Sequence, residues 1–294
     1  MKFLITGASG LVGMRLTEAA NRAGHETFTI YNQHQIDSPN AYHIDLRHER
    51  DMIEILKLSS PDVVVHLASI TDVDSCEHNP KLANEVNTKM TQSLAQKCSR
   101  AGSHLIYVST DYVFDGKLGN YREEDQPNPI NTYGLSKLRG EEATRNASEK
   151  FCIARTSVVY GWGRKSRPNF GSWVYTELEA RRPTRVVKDQ YCSPTLDSQL
   201  ARMLLEVAEK RIPGTIHIAG ASKLSRYEFA LKIANKFQMD RALIVPTDSR
   251  STSWFAKRPL DSSLNVEKAQ KLLTNKPENI ELALDEFARE IMQH

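Results

Sequence analysis

Cysteine is scarce. Cys76, Cys98, Cys152 and Cys192 lie far apart with no C-x-x-C pair among them, which argues against a disulfide framework or a zinc site and favours reduced, buried thiols. The nine histidines are as scattered, and His43 and His48 miss the i, i+4 spacing of a helical metal pair, so no metal is expected. Long apolar runs are missing too: nothing approaches the roughly 18–20 residues of a membrane span. Phe3-Leu4-Ile5 gives way at once to Thr6-Gly7, too short for the core of a secretory signal. The expectation is a cytoplasmic protein without a membrane partner. Nor does one sign of charge prevail: 39 Lys plus Arg against 36 Asp plus Glu leave +3, too little to make nucleic acid the expected partner. What is present is the composition of an ordinary globule, 40% hydrophobic and 26% charged, in a chain long enough for two lobes at most.

Strand and helix patterns alternate through the first half. Lys2–Thr6, Thr27–Tyr31, Asp62–Leu67, His104–Ser109 and Phe151–Arg155 read as short apolar strands, and Leu11–Ala23, Glu49–Leu58, Lys81–Arg100 and Asn131–Ala147 as helices. That rhythm predicts an α/β fold with a doubly wound parallel sheet whose strands are covered on both faces. After Gly161 the rhythm loosens and a smaller α/β lobe is expected. The expected division is a large lobe over 1–160 that the chain rejoins at about 184–222, and a small lobe from 161–183 and 223–294. Ser225-x-x-Glu228 is a capping-box pattern opening a helix to about Phe237.

Gly7-Ala8-Ser9-Gly10-Leu11-Val12-Gly13 joins the first strand to the first helix. In that context Gly7, Gly10 and Gly13 serve a tight turn and a close backbone approach to a pyrophosphate, for which the helix N-terminus supplies free N–H groups; Ser9 lies within the loop. The second strand ends in Tyr31-Asn32-Gln33, with no acid to bind a ribose 2′-hydroxyl and no arginine directly after it. The expected cofactor is therefore NADP(H), with use of NAD(H) left open. Asp45-Leu46 is placed either near an adenine or at a helix cap.

Tyr133 and Lys137 are four residues apart on a predicted helix, hence on one face and about 6 Å apart along its axis. A neighbouring cation and the positive ring of an oxidised nicotinamide both favour phenolate, so with cofactor in place the tyrosine pKa is expected to fall, equipping it to give a proton to a carbonyl oxygen. Thr110 and Asp111 end the strand from His104, at the carboxyl edge where ligands of such sheets bind.

Together the glycine loop, the strand-end hydroxyls and Tyr-x-x-x-Lys resemble the extended short-chain dehydrogenase/reductase superfamily, with its Rossmann-type fold. Within it, Ser109-Thr110-Asp111-Tyr112-Val113-Phe114-Asp115-Gly116, Asn131 to Lys137, Arg155-Thr156-Ser157, Asp189-Gln190, Ser193-Pro194-Thr195 and Arg258-Pro259 resemble the dTDP-4-dehydrorhamnose reductase family. The resemblance implies an NADP(H)-dependent oxidoreductase of nucleotide-sugar metabolism that reduces the C4 ketone of a nucleotide-linked 6-deoxyhexose, dTDP-4-dehydrorhamnose to dTDP-L-rhamnose. It implies that Tyr133 is the proton donor, that Lys137 holds the nicotinamide ribose, and that Thr110 bonds the substrate carbonyl or Tyr133. Asp111 would touch the sugar, with Val158 and Arg258 also on the substrate side. Gly10, Leu11, Val12, Asp45, Leu46, Ser69, Ile70 and Thr71 would line the cofactor. A homodimer is a further expectation of the resemblance.

One departure and one further likeness keep alternatives open. Val158 stands where the family often has a sugar-packing tryptophan. Tyr121-Arg122-Glu123-Glu124-Asp125 and Gly214-Thr215-Ile216-His217 also resemble the regulatory β subunit of methionine adenosyltransferase, which implies an NADP-binding subunit with a synthetase partner. Tyr112 follows Thr110-Asp111 where the related dehydratases carry Glu, which argues against elimination; a nucleotide-sugar epimerase fits less well. Finally, Arg164, Lys165, Arg167, Arg181, Arg182, Arg185 and Lys188 crowd one stretch against only Glu177 and Glu179. They read as a diphosphate site, a solvated face or a subunit contact. Trp254-Phe255 could stack on a base or simply pack.

Overall fold

The structure is a computed structural model that describes residues 1–163 and 168–293; Arg164, Lys165 and Arg167 of the basic stretch lie outside the described residues. Seven strands make the central sheet: β1 (Lys2–Thr6), β2 (Glu26–Tyr31), β3 (Ala41–His43), β4 (Val63–His66), β5 (His104–Thr110), β6 (Phe151–Thr156) and the strand Gly214–His217. Across the sheet the order is Gly214–His217, β6, β5, β4, β1, β2, β3, and every pair is parallel. The winding direction reverses between β1 and β4, which opens a crevice at the carboxyl ends of those strands.

Alternation along the strands builds a core on each face, as the two-residue period requires. Phe3, Ile5, Val63, Val65 and Ile106 pack on one side with Leu16, Leu200 and Leu204. Leu4, Val64 and Leu105 pack on the other with Phe28, Leu56 and Leu94. Strand β3, too short and too exposed to leave an apolar run, is not legible in the sequence. The helix expected over Lys81–Arg100 arrives in three parts, α over Pro80–Ala83, π over Asn84–Lys89 and α over Met90–Ala101. The widened turn carries Asn87, fully buried, whose amide is claimed by neighbours outside the helix.

Thr184–Val187, expected to rejoin the large lobe, instead pairs in parallel with Ile244–Thr247. Its Val186 shares a separate core with Ile244, Tyr160, Phe229 and Phe287, and that apolar side keeps it in the small lobe. The chain returns later, through the helix Asp197–Glu209, which packs on the first core, and the strand Gly214–His217 beside β6. The helix Arg226–Lys236 begins with both bonds of the Ser225/Glu228 capping box. All four thiols are free and buried. Among the described residues, no helix is long and apolar enough to cross a membrane and no cluster of His, Cys, Asp and Glu could hold a metal.

Candidate active site

At the carboxyl end of β1 the chain turns at Gly7 with φ +66°. A Cβ there would fall 2.7 Å from the Ala68 nitrogen after β4, and one on Gly13 would fall 2.5 Å from the Gly7 carbonyl oxygen. The helix Leu11–Arg22 that follows has Gly10 as its N-cap, no side-chain cap bond and no acid in its first turn. Its first amides and the positive end of its dipole thus remain for an anion; by contrast the helices at Thr132, Phe170 and Arg226 are capped by Asn131, Asn169 and Ser225. The glycine loop therefore fits a dinucleotide pyrophosphate. Ser9, Leu11 and Val12 are half-buried around it, and Ser69, Ile70 and Thr71 lie just beyond β4 across the crevice. Ile70 is pinned by Asn87, which accepts its N–H at 2.8 Å and donates to its carbonyl at 3.0 Å.

The pair Asp45-Leu46 divides. Leu46 is buried in the core with Phe28 and Leu56. The Asp45 carboxylate is gripped by the Arg47 guanidinium, with Nε 3.0 Å from both oxygens, and that bond holds it below the usual carboxylate range.

Tyr133 and Lys137 lie inward on the helix Thr132–Ala147, 9% and 3% exposed. The Tyr133 hydroxyl faces that of Thr110, and its ring meets Tyr112 edge-on at 5.9 Å. Burial pushes the phenol above its ordinary pKa, with the Thr110 hydroxyl opposing. Among the protein's own groups desolvation dominates and holds the phenol as a neutral acid; the expected lowering counts the nicotinamide charge as well. Lys137 Nζ donates to the Val108 carbonyl at 2.8 Å and lies 4.2 Å over the Tyr107 ring. Burial lowers the ammonium to about 7, against the pull of Glu141 one turn on. Glu141 is itself buried in a two-bond pair with Arg155 and accepts from Ser109 at 2.6 Å. That pair ties the Tyr133 helix to β5 and β6.

Asp111 departs from expectation. It is 2% exposed, and its oxygens accept from Thr110 at 3.1 Å, Ser157 at 2.8 Å and Ser262 at 2.5 Å. A carboxylate so enclosed is not presented to a sugar. Val158 is half-buried with φ +41°, a left-handed conformation costly for a β-branched residue. Its carbonyl accepts from the Thr195 N–H at 3.1 Å, so the strained turn is fixed where β6 leaves the sheet.

Beside this edge lies a cavity of about 460 Å³ lined by Tyr112, Phe170, Trp173, Arg185, Gln190, Arg226, Trp254 and Arg258 among others. Arg258 is braced by Asp74 at 3.0 Å and lies over Trp254, while Phe255 stacks on His78. Of the described basic stretch only Arg185 lines the cavity; Arg182 pairs with Glu177 and Lys188 with Asp248. Arg226, Phe170, Trp173 and Asn87 were not legible as site residues. They come from separate elements and share no spacing, although the capping box next to Arg226 marked where its helix begins. The stretches around Glu123 and His217 meet, with the His217 N–H donating to the Glu123 carboxylate at 2.9 Å.

A family model for the RmlD substrate binding domain matches residues 1–293. The chain belongs to this family of extended short-chain dehydrogenase/reductases. Among its relatives, the probable low-salt glycan biosynthesis reductase Agl14 of Haloferax volcanii is 33% identical, covering 92% of this chain and 91% of its own. Methionine adenosyltransferase 2 subunit beta of Bos taurus is 31% identical, covering 92% and 82%. The dTDP-4-dehydrorhamnose reductase of Aggregatibacter actinomycetemcomitans is 32% identical, covering 96% and 97%. Among solved structures, a hypothetical dTDP-4-dehydrorhamnose reductase from Sulfolobus tokodaii superposes with a TM-score of 0.88 at 37% identity, covering 97% and 98%. The enzyme of Bacillus anthracis, in complex with NADP, does so at 0.88 and 28%, covering 98% and 99%.

Proposed function

We propose that the chain is an NADP(H)-dependent oxidoreductase that reduces the C4 ketone of a nucleotide-linked 6-deoxyhexose, dTDP-4-dehydrorhamnose to dTDP-L-rhamnose, in the cytoplasm. The observation that carries this reading is the buried Tyr133, facing Thr110 and one turn from Lys137, between an open helix N-terminus and an arginine-lined cavity. Gly7, Gly10, Gly13 and the first amides of the helix Leu11–Arg22 hold the cofactor's pyrophosphate, with Ser69, Ile70 and Thr71 on the facing side. When bound, the cofactor supplies the hydride. Tyr133 gives its phenolic proton, present at neutral pH, to the ketone oxygen. Thr110 orients the phenol, and Lys137 holds a ribose hydroxyl. In the cavity Arg185, Arg226 and Arg258 offer forked donors to a diphosphate, and Phe170, Trp173 and Trp254 offer faces to a base.

A second reading, an NADP-binding subunit with a synthetase partner, draws on the 31% identity to the β subunit of methionine adenosyltransferase. One assay separates the two. NADPH oxidation is followed with dTDP-4-dehydro-6-deoxy-L-lyxo-hexose, with NADH alongside. Oxidation at rates typical of enzymes, on the order of 1 s⁻¹ or faster, is expected; NADPH binding without oxidation would favour the subunit.

A further inference from the structure

We propose that Asp111 is the proton store of the reduction, feeding Tyr133 through the hydroxyl of Thr110. This rests on the reading of Tyr133 as the proton donor. The Asp111 carboxylate is closed off from the cavity: Ser157 and Ser262 take one oxygen and Thr110 the other. Thr110 Oγ1 also accepts the Tyr112 N–H at 3.2 Å and faces the Tyr133 hydroxyl. A hydroxyl has one proton to give. With Asp111 ionised, Thr110 points that proton at the carboxylate and accepts from Tyr133. With Asp111 protonated, the carboxyl O–H donates to Thr110 and Thr110 donates to Tyr133. The same heavy atoms thus serve both directions, and the second is a continuous path from a buried acid to the donor.

In the reduction, the ketone carbon receives hydride and the Tyr133 O–H bond breaks as its proton passes to the ketone oxygen. The phenolate then takes the Thr110 proton, and Thr110 takes the Asp111 proton. One proton leaves Asp111 and one O–H bond forms on the product, so the account balances. The resulting carboxylate is held by the Ser157 and Ser262 hydroxyls until, after the product leaves, a solvent proton returns to it through Tyr133 and Thr110. The charged group facing Asp111 is Arg226, and Tyr112, Tyr133 and Cys192 face it as neutral groups. Burial outweighs the hydroxyls and Arg226 and raises the carboxyl, which favours the stored proton. Asp111 is not among the residues lining the cavity and acts only through Thr110.

The test compares wild type, Asp111→Asn, Thr110→Val and Tyr133→Phe in two measurements: kcat against pH with NADPH and dTDP-4-dehydro-6-deoxy-L-lyxo-hexose, and the infrared carbonyl band of a protonated carboxylic acid in the NADP-loaded protein. Asp111→Asn is expected to lose the alkaline fall in kcat and to lower the acid-side kcat by about tenfold or more, with NADPH Kd and KM within about twofold. It should also remove a carboxylic acid band present in wild type, and Thr110→Val should lower kcat while keeping that band. A uniform loss of kcat with the alkaline fall intact would overturn the proposal and leave Asp111 a structural clamp. If the sugar is not turned over, or Tyr133→Phe keeps full activity, the functional reading fails instead; the infrared band then decides, and its absence in wild type overturns the store.

Discussion

The two ligand-facing regions of this molecule are made of different material. The cofactor crevice at β1 and β4 is built from backbone: a left-handed glycine, a loop with no room for a Cβ and a helix end left uncapped. The cavity of the small lobe is built from side chains, with Arg185, Arg226, Arg258 and four aromatic residues arriving from distant segments. A backbone site demands particular residues at fixed spacing. A side-chain site can be assembled from any elements the fold brings together. The first should tolerate almost no substitution, and the second should lose affinity in increments.

The sharpest break of that contrast is Gly13→Ala, whose Cβ meets the Gly7 carbonyl at 2.5 Å. Because the clash is with backbone, the loop must move, and NADPH affinity is expected to fall by about 100-fold or more, as read by titrating nicotinamide fluorescence. Arg226→Ala removes one of three arginines from the cavity and should raise KM for the nucleotide sugar by about tenfold with kcat little changed. Steady-state kinetics separate the two constants, and an equal fall in kcat would place Arg226 in the chemical step rather than in binding.

A smaller effect belongs to Lys137. Its ammonium is lowered by burial to about 7, whereas an unfolded chain titrates it near 10.4. Between about pH 7 and pH 10 the unfolded state therefore holds a proton that the folded state has shed, and stability rises with pH across that window. Lys137→Met should flatten the slope, as read from urea midpoints at pH 7 and pH 9.

The same contrast explains what the sequence made legible. The alternating apolar strands of the large lobe follow from burial on both faces, and the glycine loop follows from the space it must leave, so both could be read without coordinates. The placement of Tyr133 and Lys137 on one helix face and of Thr110 at a strand end was readable because helical spacing and strand ends have fixed geometry. The enclosure of Asp111 was not, because it depends on Ser157 and Ser262, far apart in the chain and joined only by folding. Nor was the pairing of Thr184–Val187 with Ile244–Thr247, two short strands that meet across some 60 residues. The π turn at Asn87 arises from tertiary hydrogen bonds and leaves no local pattern. Desolvation of Tyr133 is likewise a property of the packed site, which spacing alone does not reveal.

The central claim is that Tyr133 supplies the proton. Its most direct test is the turnover of Tyr133→Phe, measured as NADPH oxidation with the dTDP-4-dehydro sugar beside a titration of NADPH binding. The account predicts a loss on the order of 10²-fold or more with NADPH affinity unchanged. Turnover at the wild-type rate would contradict it and remove Tyr133 from the chemistry.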